Sequence, residues 1–232
     1  DLVFDPSAFS WIDSPDFKDR VRANLYRQEM ARYRQTLLAS EAVLASTQYL
    51  ADRVQELEKP VWVHRNGFSL EMLAQSVAAV HNRKPVPGRI IIGYASGTRT
   101  HDRDFQTIKP ALQHILQQHP QVELRLIGPL DPGQDWGSIG DRIIQNKFVS
   151  WRALPTQLAD FDINIAPLIT DNPFGQSKSE IKFMEAGLVQ IPTIASPTEA
   201  FKQAIHHGEN GLLADDVEAW MSELDQLIAD PE

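Results

Sequence analysis

The sequence predicts an α/β protein built on a doubly wound parallel sheet, and two observations carry that reading. From Arg89 onward, short apolar runs of strand length alternate with amphipathic stretches of helix length. Such alternation means βα units, right-handed crossovers and helices on both sheet faces. Turn-forming Gly, Asn and Pro separate the runs, and no apolar run approaches the ~20 residues that span a bilayer. With 232 residues, 42% hydrophobic and 23% charged, the chain has a globular composition and enough length for a sizeable core.

In chain order, residues 1–15 are rich in Asp, Ser and Pro and read as irregular. Asp16 to about Leu38 carries Phe17, Val21, Leu25, Met30, Tyr33 and Leu37 at roughly helical spacing, which predicts one or two helices. Ala42–Ser46 reads as a buried strand, and Thr47 as the cap of a helix running to about Leu57. Pro60–His64 is a further strand, ended by the turn dipeptide Asn66-Gly67. Ser69 to about Val80 reads as a connecting helix and Lys84–Gly88 as a linker. Strands are expected at Arg89–Tyr94, Glu123–Ile127, Ile143–Val149, Ile163–Pro167, Ile191–Ala195 and Gly211–Ala214. Helices are expected at Phe105–His119, Leu154–Ala159, Glu180–Ala186, Thr198–Ala204 and Val217–Ala229. Ligands of such sheets bind beyond the carboxyl ends of the strands.

Composition removes several function classes. A net charge of −9 argues against a nucleic-acid partner, which needs a basic face. The absence of cysteine excludes disulfides, thiolate zinc and cysteine nucleophiles, and fits the reducing cytoplasm, the expected location. The start, DLVFDPSAFSWID, has no basic n-region and no methionine. It is no signal peptide, and a fragment of a longer, multidomain chain is expected. The nucleophile elbow G-x-S-x-G is absent, and no G-x-G-x-x-G follows a strand, which argues against a sugar-nucleotide epimerase.

The stretch Ser177–Ser196, SKSEIKFMEAGLVQIPTIAS, is the richest in chemistry. Ser177 with Glu180 forms a capping-box pattern, so a helix is expected to begin there. Ile181, Met184 and Leu188 give it a buried stripe, and Gly187 suits its end. Lys178, Lys182 and Glu185, at i, i+4 and i+7, fall on one line along another face. Two ammonium groups beside helix-start amides can hold phosphate oxygens, and the carboxylate can accept from sugar hydroxyls. On spacing alone, a solvated face with ordinary i,i+4 pairing is the favoured reading.

The run Phe183-Met-Glu-Ala-Gly187 followed by Ile191-Pro-Thr-Ile-Ala-Ser196 resembles the E-A-x-A-x-G-x-P-V-V-A-S signature of family-four glycosyltransferases (glycosyl transferases group 1). Those enzymes have the GT-B fold, and their signature glutamate, here Glu185, binds the donor's ribose. The glutamate usual eight positions earlier falls on Ser177, and a usual glycine on Gln190. A branch reading K-S-x-x-K-x-x-E matches Lys178-Ser179-x-x-Lys182-x-x-Glu185 better. The same branch's S-G-T-x-T-H-x-x-D-F segment is matched by Ser96, Gly97, Thr98, Thr100, His101, Asp104 and Phe105. The more familiar family form has G-R where this chain has Gly93-Tyr94, which leaves Arg99 and Arg103 as candidates for the diphosphate-binding pair.

Upstream, Ser46-Thr47, Leu50, Val54 and Asn66-Gly67 resemble the end of the family's N-terminal domain, with Arg65 where a proline is usual. The resemblance, over about residues 42–230, implies that residues 1–67 are a remnant of the acceptor-side domain. Residues 68–232 would then be the Rossmann-like, nucleotide-sugar donor-binding domain. It implies retaining transfer of a sugar from a nucleotide-sugar to an acceptor that is a glycan, a lipid or a protein. The expected donor-binding residues are Gly97, Thr98, Arg99, Arg103, Ser177, Lys178, Ser179, Lys182 and Glu185, with backbone amides at Ser177–Ser179. No catalytic residue is assigned, because in GT-B enzymes the acceptor and often a catalytic histidine come from the other domain. The alternative is a catalytically inactive nucleotide-binding or scaffold module of a larger protein.

Other loops read as follows. Asp102-Arg-Asp104 and Asp160-Phe-Asp162 match the metal-binding D-x-D pattern, but 31 acidic residues make such pairs commonplace. Neither has supporting ligands at metal spacing, so no metal is expected to be required. Trp151, in the segment that the family places near the nucleobase, is a stacking candidate or ordinary packing. Asp171–Gly175 is expected to shape the sugar pocket, and His206–Gly211 to be a turn.

Overall fold

A computed structural model describes residues 2–12 and 14–229. Asp1 and Asp13 of the segment expected to be irregular, and the last three residues of the expected 68–232 domain, lie outside the described residues. The chain opens with 3-10 turns at Pro6–Trp11 and Pro15–Lys18, so the first 15 residues are more regular than expected. Helix α1 (Arg20–Ala39) follows, its start fixed by Asp19, whose carboxylate accepts the N–H of Val21 at 2.8 Å.

Strand β1 (Val43–Ala45) leads to α2 (Gln48–Gln55), and the Thr47 hydroxyl accepts the Leu50 N–H at 3.2 Å as its spacing predicts. Strand β2 (Val61–Val63) pairs in parallel with β1 as a separate two-stranded sheet. Leu2, Ala8, Met30, Ala45, Leu50 and Phe174 form the core of this portion.

The helix expected between Asp16 and Leu38 is present, and one expectation, the turn at Asn66-Gly67, fails. Helix α1 buries Ala23 and Met30, while Val21, Leu25 and Tyr33 are exposed. Spacings near four residues advance about 40° per step around a helix of 3.6 residues per turn, so the apolar line winds off the packed face. Asn66-Gly67 makes no turn: residues 64–69 are irregular and carry side-chain bonds to a distant segment. Arg65 Nε donates to Glu180 Oε1 at 2.9 Å, and Asn66 Nδ2 donates to Ser179 Oγ at 2.7 Å.

Helix α3 (Leu70–Asn82), capped by the Ser69 hydroxyl, leads into the main sheet. Its strands are β3 (Ile90–Ala95), β4 (Val122–Ile127), β5 (Ile143–Asn146), β6 (Ile163–Ala166), β7 (Thr193–Ala195) and β8 (Leu212–Leu213). All pair in parallel, in the order β5-β4-β3-β6-β7-β8. The six predicted strands and five predicted helices are all present, with ends shifted by a few residues. The helices are α4 (Asp102–Gln118), α5 (Leu154–Leu158), α7 (Ile181–Leu188), α8 (Glu199–Ala204) and α9 (Val217–Ala229); a short α6 (Pro173–Gln176) was not foreseen.

Helices α4 and α9 pack together on one core, with Phe105, Ile108, Leu112, Ile115, Trp220 and Leu224 fully or almost fully buried. Helices α3, α5 and α7 meet at a second core containing Ala79, Leu158, Phe161, Ala186 and Val189. Both sheet faces are therefore covered. The chain enters the sheet at β3, builds outward to β5, then crosses to β6 on the other side of β3. The order reverses between β3 and β6, and crevices form at such switch points.

Helix α7 begins at Ile181 rather than Ser177. The Ser177 hydroxyl instead donates to the Phe174 carbonyl at 2.8 Å, closing α6, and the Glu180 carboxylate is taken by Arg65, so no capping box forms. The expected buried stripe is also wrong. Ala186 is the buried residue of α7, Met184 and Leu188 are half-buried, and Ile181 is exposed because its face opens onto the crevice. The helix ends through Gln190 at φ +63°, the position where the resemblance puts a glycine.

Candidate functional site

The crevice is built from the loop leaving β3, the end of β4, the segment after β5 and the first turns of α7. Ser96 N–H donates to the Ile127 carbonyl at 2.9 Å and Ser96 Oγ to the Thr98 carbonyl at 2.8 Å, which pins the first loop. At Gly97 a Cβ would have no neighbour within 4 Å, so its backbone faces open space. Ser96 and Gly97 line a cavity of about 220 Å³ together with Phe148, Ile181, Lys182 and Glu185.

The electrostatics of this cavity are unusual. Lys182 Nζ donates to the Ala95 carbonyl and sits 4.9 Å from the centre of the Tyr94 ring. Burial pushes its pKa down to about 8; nearby Lys178 adds to this, while Glu185 and Asp104 oppose it. Lys178 Nζ lies 3.9 Å over the Phe174 ring and is likewise pushed by burial to about 8, with Asp104 opposing. Burial raises the Glu185 carboxyl, which Lys182 partly offsets. Burial also lowers the pKa of His101, against the bond from its Nδ1 to Asp104 Oδ2 at 2.8 Å. Desolvated cations of this kind bind an anion that replaces the lost water strongly, and they destabilise the empty fold.

The structure brings Gly97, Lys182 and Glu185 into one cavity and Lys178 beside it. Ser177 is buried, and Ser179 is bonded to Asn66. Arg99 forms ion pairs with Asp102 at 3.3 Å and Asp131 at 3.5 Å, and with Thr98 lines a neighbouring cleft of about 610 Å³ against Leu25 and Tyr26 of α1. Arg103 lines a third, small opening beside Phe174. The expected amide cradle at Ser177–Ser179 is corrected. The Ser177 N–H donates to Pro173 and the Lys178 N–H to Gly175, because the short α6 ends there.

Both D-x-D pairs are occupied by structural bonds. Asp102 accepts the Asp131 N–H at 3.0 Å, Asp104 the Ile169 N–H at 2.9 Å, and Asp162 the Ile91 N–H at 2.7 Å, while Asp160 lies 3.7 Å from Arg125. Among the described residues, no group of three or more His, Asp or Glu side chains is placed to hold a metal ion. His206–Gly211 forms a turn, with Gly208 at φ +83° and the His206 N–H bonded to Asn210. Trp151 stacks on its neighbour Arg152 and is absent from the cavity, whereas Phe148 lines it. Phe148 and Trp151 share the segment matched to the nucleobase side, and nothing in the sequence separates the ring that lines the cavity from the one that does not. Sequence reasoning also left the His101–Asp104 contact unread, although an i,i+3 spacing at a helix start could have suggested it.

A covered parallel sheet with an ordered cationic crevice at its switch point defines a Rossmann-type α/β domain. The model of the family "Glycosyl transferases group 1" matches residues 89–230, and the chain belongs to that family. No curated protein matches the sequence. The chain is similar to solved structures of GT-B fold. Sucrose-phosphate synthase from Thermosynechococcus elongatus shares 18% identity at a TM-score of 0.61, over 95% of this chain and 56% of that one. Anabaena Alr3699/HepE, solved with UDP-glucose, shares 18% at 0.59, over 94% and 60%. The pneumococcal O-GlcNAc transferase GtfA, solved with UDP and GlcNAc, shares 15% at 0.61, over 86% and 41%. The chain thus spans well under two thirds of the length of these neighbours. Among the described residues no helix is long and apolar enough to cross a membrane.

Proposed function

We propose that this chain carries the donor half of a retaining, family-four glycosyltransferase, binding a nucleotide-sugar in the β3–β6 crevice. The enclosed pair Lys178 and Lys182 beside Glu185 carries the reading. When a sugar leaves its nucleotide, negative charge builds on the leaving diphosphate, and preorganised cations and amides stabilise it. In this reading Lys178 and Lys182 meet the diphosphate without a required metal, and the Gly97 backbone lets a phosphate approach. Glu185 accepts from the ribose hydroxyls, and Phe148 offers a face to the base. Arg99 and Arg103 stand further out and assist through the field of the loop.

Residues 1–67 act as the remnant of the acceptor-side domain, and the acceptor is a glycan, lipid or protein met by a longer chain in the cytoplasm. The donor half alone binds but transfers poorly.

The test is thermal denaturation against UDP, GDP, ADP and their sugars, beside Glu185→Ala. A ligand at 100 times its dissociation constant stabilises by about 2.7 kcal/mol. A shift with one base that the variant loses supports the donor site; equal shifts in both proteins remove Glu185 from it. The pH dependence is a second expected result. The lysines are charged below about 8 and neutral above, so diphosphate affinity should fall as pH rises from 7 to 9. Titration calorimetry across that range reads it, and a flat profile counts against the lysines as ligands.

A further inference from the structure

Asp104, in the first turn of α4, has a side chain only 9% exposed and both carboxylate oxygens engaged. Oδ2 takes the hydrogen bond of His101 Nδ1–H at 2.8 Å, leaving Nε2 as the ring's acceptor. Oδ1 accepts the Ile169 N–H at 2.9 Å, from the segment that leaves β6. One side chain therefore ties the loop after β3 to the segment after β6, which leads through α6 to Lys178 and Lys182. A buried carboxylate is costly unless positive charge answers it. The groups whose charge couples to Asp104 are Lys178 ahead of α7, Lys182 on α7, His101 and Tyr94 on β3; Glu185 couples to Lys182, Asp102 to Tyr94, and Asp102 and Arg103 flank Asp104 in the first turn of its own helix.

We propose that Asp104 is a positioning residue of the diphosphate site: it holds the loop after β3 against the segment that leads to Lys178 and Lys182, and sets a buried negative charge near both. The proposal rests on the crevice being a diphosphate site. Both lysines sit near 8 even with Asp104 beside them. Loss of its charge lowers them by about one further pH unit, the scale of a close opposite charge.

Asp104→Asn tests this, because its side-chain oxygen still accepts the Ile169 N–H while the charge is gone. Calorimetry uses whichever of UDP, GDP or ADP stabilises the wild type most, from pH 7 to 9, above the phosphate's own titration near about 6. The expected result is a wild-type midpoint near 8 that moves down by about one unit in Asp104→Asn, with affinity at pH 8 reduced about fivefold or more. A loss of the same factor at every pH, or no loss, overturns the proposal.

If Asp104→Asn does not fold, His101→Leu decides, since it cuts the tie but leaves the charge. It should weaken binding about fivefold at all pH values with the midpoint kept, and unaltered affinity overturns the positioning role. A wild type that binds none of the three nucleotides refutes the diphosphate reading and this inference together. A binding wild type with an unchanged Asp104→Asn titration refutes only the role of Asp104.

Discussion

Lys182→Met should raise the melting temperature of the empty protein while abolishing its response to nucleoside diphosphates. A lysine held at about 8 instead of 10.5 costs the folded state roughly 3 kcal/mol at neutral pH, at about 1.36 kcal/mol per pH unit. The sign follows from proton counting. Between pH 8 and 10.5 the unfolded chain binds the proton that the folded chain has lost, so stability rises with pH there. Below 8 both states are protonated and the folded state carries the full penalty. Methionine keeps the apolar length of the side chain and removes the charge. It leaves the Ala95 carbonyl without its donor, a loss of about 1 kcal/mol. The net gain is about 2 kcal/mol, or roughly 4–8 °C at this chain length. Calorimetric melts with and without UDP, GDP and ADP check both halves. A destabilised variant that still binds would show Lys182 to be a structural residue.

The second large effect is expected at Gly128, behind the same loop. It sits at φ +97°, and a Cβ built there would lie 1.9 Å from the Ser96 carbonyl oxygen. Alanine would face both a left-handed backbone and a collision with main chain that the Ser96 bond to Ile127 holds in place. Gly128→Ala should cost about 3 kcal/mol or more, a drop of roughly 6–12 °C. Gly97→Ala is the control. It meets nothing within 4 Å, so the fold should change by less than about 0.5 kcal/mol, while a phosphate approaching that backbone loses room. Equal melting temperatures for the two variants would mean that the β3 loop is not braced from below.

The alternation of apolar runs was enough to place the six strands and five longer helices of the sheet domain, because burial on both faces imposes one pattern along the whole run. The β3–β6 crevice followed from topology, since small residues after β3 and the lysine-bearing stretch before β7 both fall at carboxyl strand ends. What failed was local. Ser177 and Glu180 read as a capping box, but each has a tertiary partner, Phe174 and Arg65, that sequence spacing does not reveal. Asn66-Gly67 reads as a turn for the same reason, with Asn66 held by Ser179 from 113 residues away. The apolar residues of α1 match helical spacing only loosely, and their pattern could not say which face would be covered. Arg99 was legible as a cation near the loop, though not as one already paired with Asp102 and Asp131. Burial of the two lysines could not be read from sequence at all, because it depends on how α6 and α7 close over the end of β3.

The most direct measurement is a crystal structure of this chain soaked with the nucleoside diphosphate that stabilises it best. The account predicts phosphate oxygens within hydrogen-bond reach of Lys182 Nζ and the Gly97 backbone, with the ribose hydroxyls at Glu185. Phosphates seated elsewhere, with the β3–β6 crevice still filled by solvent, would contradict it.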